Sequence, residues 1–209
     1  YEETDEELRI RRAVSTTTTA VGPVDAIRGA LLNQVGVTQA MVYENNTDAA
    51  DPVTGQPPHS IYAVVQGGAD QDVWNVIWFK KPAGVNMVGA QVGQVIDTAG
   101  FSHDIKFDRP TLTPVYFTVN VKKRAGYPAN GADLIKAAIV AFGQATFSIG
   151  QAVIQSEFYN SILQAINNTG SILSLGIGLA ANPATTDDVA IAYNAIGVFD
   201  PAYILVVET

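Results

Sequence analysis

Apolar and polar positions along the chain fall into short stretches whose spacing switches between the helical and the strand period. In "GPVDAIRGALLNQ" Ile27 and Leu31 lie one turn apart, with Val24 and Val35 as further members of that face, and the spacing predicts a helix. "GVTQAMVYE" predicts a strand, and "HSIYAVVQGG" its antiparallel partner, stopped by Gly67 and Gly68. Between them runs a long polar segment, residues 45 to 58, rich in Asn, Asp, Pro and Gly. "ADQDVWNVIWFKKPAG" predicts a helix that starts near Asp70, buries Val73, Ile77 and one of Trp74 and Trp78, and ends at Pro82 and Gly84. From Val88 to Arg109 the pattern is one of short strands and turns punctuated by Gly89, Gly93 and Gly100. Ahead of all this, "TDEELRIRRAV" predicts a helix whose Thr4 and Glu7 form a capping box, with the threonines from Thr16 to Thr19 ending it.

A second group of elements begins with "TPVYFTVNVKKR", where Val115, Phe117, Val119 and Val121 alternate with Tyr116, Thr118, Asn120 and Lys122, a strand with one buried face. "GADLIKAAIVAFGQA" and "QSEFYNSILQAI" read as helices, and "GSILSLGIGLA" and "PAYILVVE" as strands. Residues 182 to 195 fit either a loop or a further short strand at "VAIAY". The fold class expected is therefore α+β: two small mixed α/β modules, each a short, mostly antiparallel sheet packed with helices. Residues 1–110 form an α-α-β-β-α-β module and residues 111–209 a β-α-α-β-β module. The chain opens with Tyr1 and an acidic stretch, without an initiator Met or a signal peptide, and so reads as a piece of something longer.

Composition narrows the function. A hydrophobic fraction of 47% suffices for a buried core, and no window approaches the roughly 18 apolar residues that a membrane span requires. Twenty acidic against twelve basic residues give a formal net charge of −8, which repels phosphate backbones and anionic lipid, so neither nucleic acid nor membrane is an expected partner. The absence of cysteine removes disulfides, thiol nucleophiles and thiolate metal sites, and suits assembly in a reducing cytoplasm.

Candidate chemistry is thin. His59 and His103 are the ordinary bases, and neither stands in a nucleophile or metal-binding motif. "QGGADQD" has the outline of a phosphate-binding turn, but Asp70 and Asp72 fill the place of the anion, and helix capping by a carboxylate explains them better. Asp48 and Asp51 with Asn45 and Asn46 lack the alternate spacing and closing Glu of a calcium loop. The clusters Lys122, Lys123, Arg124 and Lys80, Lys81 serve a strand end and a helix C-terminus. No catalytic residue, metal or cofactor is expected. "VWNVIWF" is apolar nearly all round, so part of its cover is expected from another chain, with Trp74 and Trp78 as contact candidates.

The ordered set "ETDEELRIRR", "IRGALLNQVGVTQAMVYENNTD", "PPHSIYAVVQGGADQDV", "KKPAGVNMVG" and "IKFDRP" resembles the C-terminal part of the baseplate J-like proteins, wedge subunits in the baseplates of contractile-tailed phages of the Mu-like kind. The resemblance spans most of residues 2 to 125; from Gly126 to Thr209 it rests on element order. It implies a structural role and no enzymatic one. Two copies in unlike environments would bind one another and other baseplate wedge and hub proteins, in a virion tail assembled in the host cytoplasm. It also implies a preceding helical region, and a second module that makes dimer and inter-wedge contacts. On that expectation the 45–58 segment is a contact loop anchored by Tyr43, Asn45, Asn46 and His59, and the last strand, with Tyr203 and Leu205, offers an edge to another subunit. The competing expectations are a receptor- or glycan-binding module, with Tyr, Trp and Asn around a concave patch, and an enzyme working through two facing carboxylates.

Overall fold

Ile27 and Leu31 are both fully buried, and the helix that carries them, α1 (Val24–Leu32), lays its apolar face on the strand that follows. The computed structural model describes residues 24–209; the capping box at Thr4 and Glu7 and the threonine run lie outside the described residues. The chain divides into two compact units between Pro110 and Thr111, and the described residues contain four α-helices and ten strands, an α+β fold.

In the first unit β1 (Val37–Asn45) and β2 (Ser60–Gly67) pair antiparallel, and β3 (Asn86–Val88) adds to β2 in parallel. β2 is the middle strand and is buried from Ser60 to Val65, which is why it reads as a continuous apolar run. It ends in Gly67 and Gly68 at φ of 75° and 73°. A Cβ on Gly67 would also stand 2.1 Å from the carbonyl oxygen of Gly36, so the position admits only glycine. Next comes α2 (Asp70–Lys80), with Val73 and Ile77 in the core. β4 (Gln91–Ile96) and β5 (Ser102–Phe107) form an antiparallel hairpin that packs on α2. Each fully buried Ile, Val or Phe here contributes about 1.5–3 kcal/mol of transfer free energy.

Two local expectations change. Val35 is 90% exposed, because α1 stops at Leu32 and the chain turns away through Gly36 before the helical face could reach it. The N-cap of α2 is Ala69, with no side-chain cap, and the carboxylate of Asp70 is instead taken by Arg109. Capping by Asp70 is thus overruled by a tertiary partner that offers a full positive charge.

The second unit is organised around β7 (Tyr116–Lys123), whose Val119 and Val121 are fully buried along with Phe117 and the preceding Val115. β8 (Gly170–Gly178) pairs with it antiparallel and β10 (Ile204–Glu208) in parallel, giving the order β10-β7-β8. Helices α3 (Gly131–Thr146) and α4 (Phe158–Ala165) pack together over the buried face of this sheet. There Phe117, Phe147, Phe158 and Phe199 meet with ring centroids 4.9–6.1 Å apart. The predicted first strand begins earlier than expected: β6 (Thr111–Pro114) breaks off at Val115 and pairs in parallel with β9 (Ala195–Val198). Residues 182–195, whose sequence fits either a loop or a strand, form no strand at "VAIAY": they hold one isolated bridge, Val189 with Val153, bury Val189 and Ile191, and enter β9 only at Ala195.

Candidate assembly surfaces

The 45–58 loop is built from the inside by two amides. Asn45 is 4% exposed; its side-chain NH2 donates to the carbonyls of Ala49 (2.8 Å), Gln56 (2.9 Å) and Pro57 (3.1 Å), and its Oδ1 accepts from the N–H and hydroxyl of Thr47. Gln56, also buried, reaches the carbonyl of Tyr43 at 3.4 Å. Asp51 Oδ1 accepts from the N–H groups of Thr54 and Val53, and bonds from Thr54 first, then Val53, hold its carboxyl below the ordinary carboxylate value. The carbonyls of Ala49, Asp51, Gln56 and Pro57 are thus satisfied from within the loop. Asn45 is therefore a loop-building residue, and the expectation that it reaches a partner is corrected: its hydrogen-bonding groups face inward. Tyr43 stacks on Tyr62 across the ladder, at 6.1 Å. Asn46 and His59 do face outward, His59 at a positive φ with its Nε2 2.9 Å from Asp48 Oδ1, together with Val53 at the tip, 76% exposed.

Both tryptophans of α2 are partly buried within their own unit. Trp74 meets the ring of Phe107 edge-on at 6.1 Å and lies against Gly93, where a Cβ would stand 2.2 Å from the indole. Trp78 stacks on His103 with ring centroids 4.0 Å apart, and the Lys81 ammonium sits 5.2 Å from its ring centroid. His103 is thus a half-buried strand residue, its Nε2 3.0 Å from Asp97 Oδ2, and that bond comes first among those that lower the Asp97 pKa. The β4–β5 hairpin supplies part of the cover expected from another chain, Trp74 and Trp78 stay partly exposed, and Phe79 on the same helix is 73% exposed. Val92 and Ile96 on the outer face of the hairpin, and Phe101 in its turn, are exposed as well.

The sheet of the second unit presents a face away from its helices. Leu205 (43% exposed) and Val207 (38%) of β10 stand beside Thr118 and Asn120 of β7, which stand beside Gly176 and Ser174 of β8. Tyr203, just before β10, packs on Tyr116 at 4.9 Å. The far edge of β8 is covered at its Ile177 end: the Ile177 N–H donates to Thr185 O (3.0 Å), and the Thr185 hydroxyl to Ile177 O (2.9 Å). This lays the 182–186 segment so close over Gly176 that a Cβ there would fall 2.2 Å from Pro183 O. A shallow recess of about 200 Å³ opens beside it, lined by Thr118, Asn120, Ser174, Asn182 and Thr186, and the buried Thr118 Oγ1 in its wall has no partner among the described residues. The other edge of the sheet, β10, has no strand beside it among the described residues. At its end Glu208 is held by Lys123 (2.9 Å) and by the Tyr127 hydroxyl (2.9 Å).

Among the described residues no three His, Asp or Glu side chains gather where they could hold a metal ion, and no helix is long and apolar enough to cross a membrane. Among the described residues each histidine is paired with one carboxylate, His59 with Asp48 and His103 with Asp97. No known family model matches the chain, and no curated protein matches it.

Proposed function

We propose that the chain is a structural subunit of a contractile phage tail baseplate, of the baseplate J-like kind, which makes wedge and inter-wedge contacts around the tail hub by associating with a second copy and with other wedge and hub proteins. The observation that carries this reading is the open β10 edge with Leu205 and Val207 exposed beside it, since isolated soluble proteins protect sheet edges with charge, proline or a covering segment. Exposed Phe79, Ile96 and Phe101 on the first unit add to it. The net charge of −8 disfavours nucleic acid and membrane as partners. Electron cryo-microscopy of tail particles assembled in the host tests the reading: both units of this fold should fit baseplate density, and tail ends in which they fit nowhere would refute it.

A second reading, a glycan- or receptor-binding module, is favoured by the recess at Thr118, whose neutral hydroxyl and amide lining suits a hydroxylated ligand. Saccharide titration followed by amide NMR tests it. Shifts confined to residues 118–120 and 174–186 would favour that reading, and their absence would remove it.

A further inference from the structure

The backbone geometry of β10 specifies how a second copy would meet it, given the assembly reading above on which this inference rests. Thr209 turns both its groups toward β7: its N–H donates to Val121 O (2.9 Å) and its carbonyl accepts from the Lys123 N–H (2.8 Å). Groups alternate along a strand, so Val207 and Leu205 also face β7, while Ile204, Val206 and Glu208 present theirs to the open edge. One of these is already used, because the Ile204 N–H donates to Pro201 O in the turn that leads into the strand.

We propose that two copies pair antiparallel through β10 about a twofold axis at Val206, extending the two sheets into one. Val206 then exchanges both backbone bonds with Val206 of the other copy, and each Glu208 N–H donates to the opposite Ile204 carbonyl. The ladder ends there because the Ile204 N–H is taken. In this register Leu205 lies directly opposite Val207 on the exposed face, in the closely spaced, non-hydrogen-bonded position, so the two exposed apolar residues cover each other. A second copy fits this edge on charge as well. The chain carries −8, yet residues 201–207 hold no charged side chain, and Glu208 is neutralised in place by Lys123. Two acidic chains thus meet along a neutral strip, at little coulombic cost. A twofold contact of this kind closes on itself and stops at two copies.

The absence of native cysteine allows a register-specific test. Leu205→Cys protein mixed with Val207→Cys protein should form a disulfide-linked dimer under mild oxidation. Neither variant alone should do so, since identical positions are displaced by two residues and stand about 7–8 Å apart. Val206→Pro removes an N–H that β7 does not use and should weaken dimerisation by at least about tenfold while the circular dichroism stays native. Leu205→Lys, which leaves the backbone untouched, should weaken it as well. A wild-type dimer in sedimentation with no cross-link in the mixture, or with either cysteine variant linking alone, overturns this pairing and leaves the assembly reading standing. A wild-type chain that stays monomeric at every concentration takes down self-association and this pairing with it.

Discussion

Arg109 and Asp70, 39 residues apart, are joined side chain to side chain, and the same guanidinium donates to the carbonyls of Val65 (3.0 Å), Gly67 and Gly68 (2.8 Å). It also lies over the Phe107 ring, 4.9 Å from the centroid. One planar cation thus satisfies the strand end that the paired glycines leave open and ties it to the first turn of α2. Arg109→Ala should destabilise the first unit by about 2 kcal/mol, and Arg109→Lys should recover less than half of that, because an ammonium cannot serve diverging acceptors in one plane. Urea unfolding followed by tryptophan fluorescence measures this selectively, since both tryptophans lie in that unit.

Asn45→Asp keeps the acceptor that Thr47 uses and loses the three donations to Ala49, Gln56 and Pro57. It should destabilise the first unit by about 2–3 kcal/mol, because the carbonyls of Ala49, Gln56 and Pro57 then face a new, largely buried carboxylate in place of an amide donor. Asn46→Ala, on the exposed neighbour, should stay within about 0.5 kcal/mol. Hydrogen exchange localises the effect: the Asp51 and Gly55 amides, bonded inside the loop, should lose protection in the first variant and keep it in the second.

Gly176→Ala should push the 182–186 segment off β8, because the obstruction is the Pro183 carbonyl and not a flexible side chain. The Ile177–Thr185 bonds should break, visible as faster exchange of the Ile177 amide, at a cost of about 1–3 kcal/mol to the second unit. Unchanged exchange at Ile177 would contradict the close approach of Pro183 to Gly176.

Acid and alkali should each loosen the β7–β10 end of the second unit. Lys123, and next the Tyr127 hydroxyl, hold the Glu208 carboxyl below its ordinary value of 4.5, so its contribution is complete above that value and is lost as pH falls through the lower folded pKa. Burial, and then the bond to Glu208, push Tyr127 up to about 12, so its contribution is complete below pH 10 and fades as pH rises from 10 to about 12. Denaturant unfolding followed by circular dichroism should show both slopes. Glu208→Gln should shrink both, leaving the acid contribution of Asp51 and Asp97 in the first unit.

What the sequence disclosed follows from how local each cause is. The alternation from Val115 to Val121 and the one-turn spacing of Ile27 and Leu31 are written in neighbouring residues, and both faces are buried as the spacing requires. Partners of Asp70 and Trp74 come from residues 39 and 19 positions away, Arg109 and Gly93, and no local pattern announces them. Asn45 was legible as important and illegible in its role. A polar side chain at a strand end looks alike whether it faces a partner or folds back, although Thr two positions on was a hint of a turn closed by the Asn side chain. The last strand was legible as an edge. Its register toward a second copy depends on which backbone groups β7 consumes, and that appears only in three dimensions.

Sedimentation equilibrium of the unmodified chain over a broad concentration range tests the central claim most directly. A mass that rises from one chain to two and stops there is the predicted result. A mass of one chain at every concentration would contradict self-association outright.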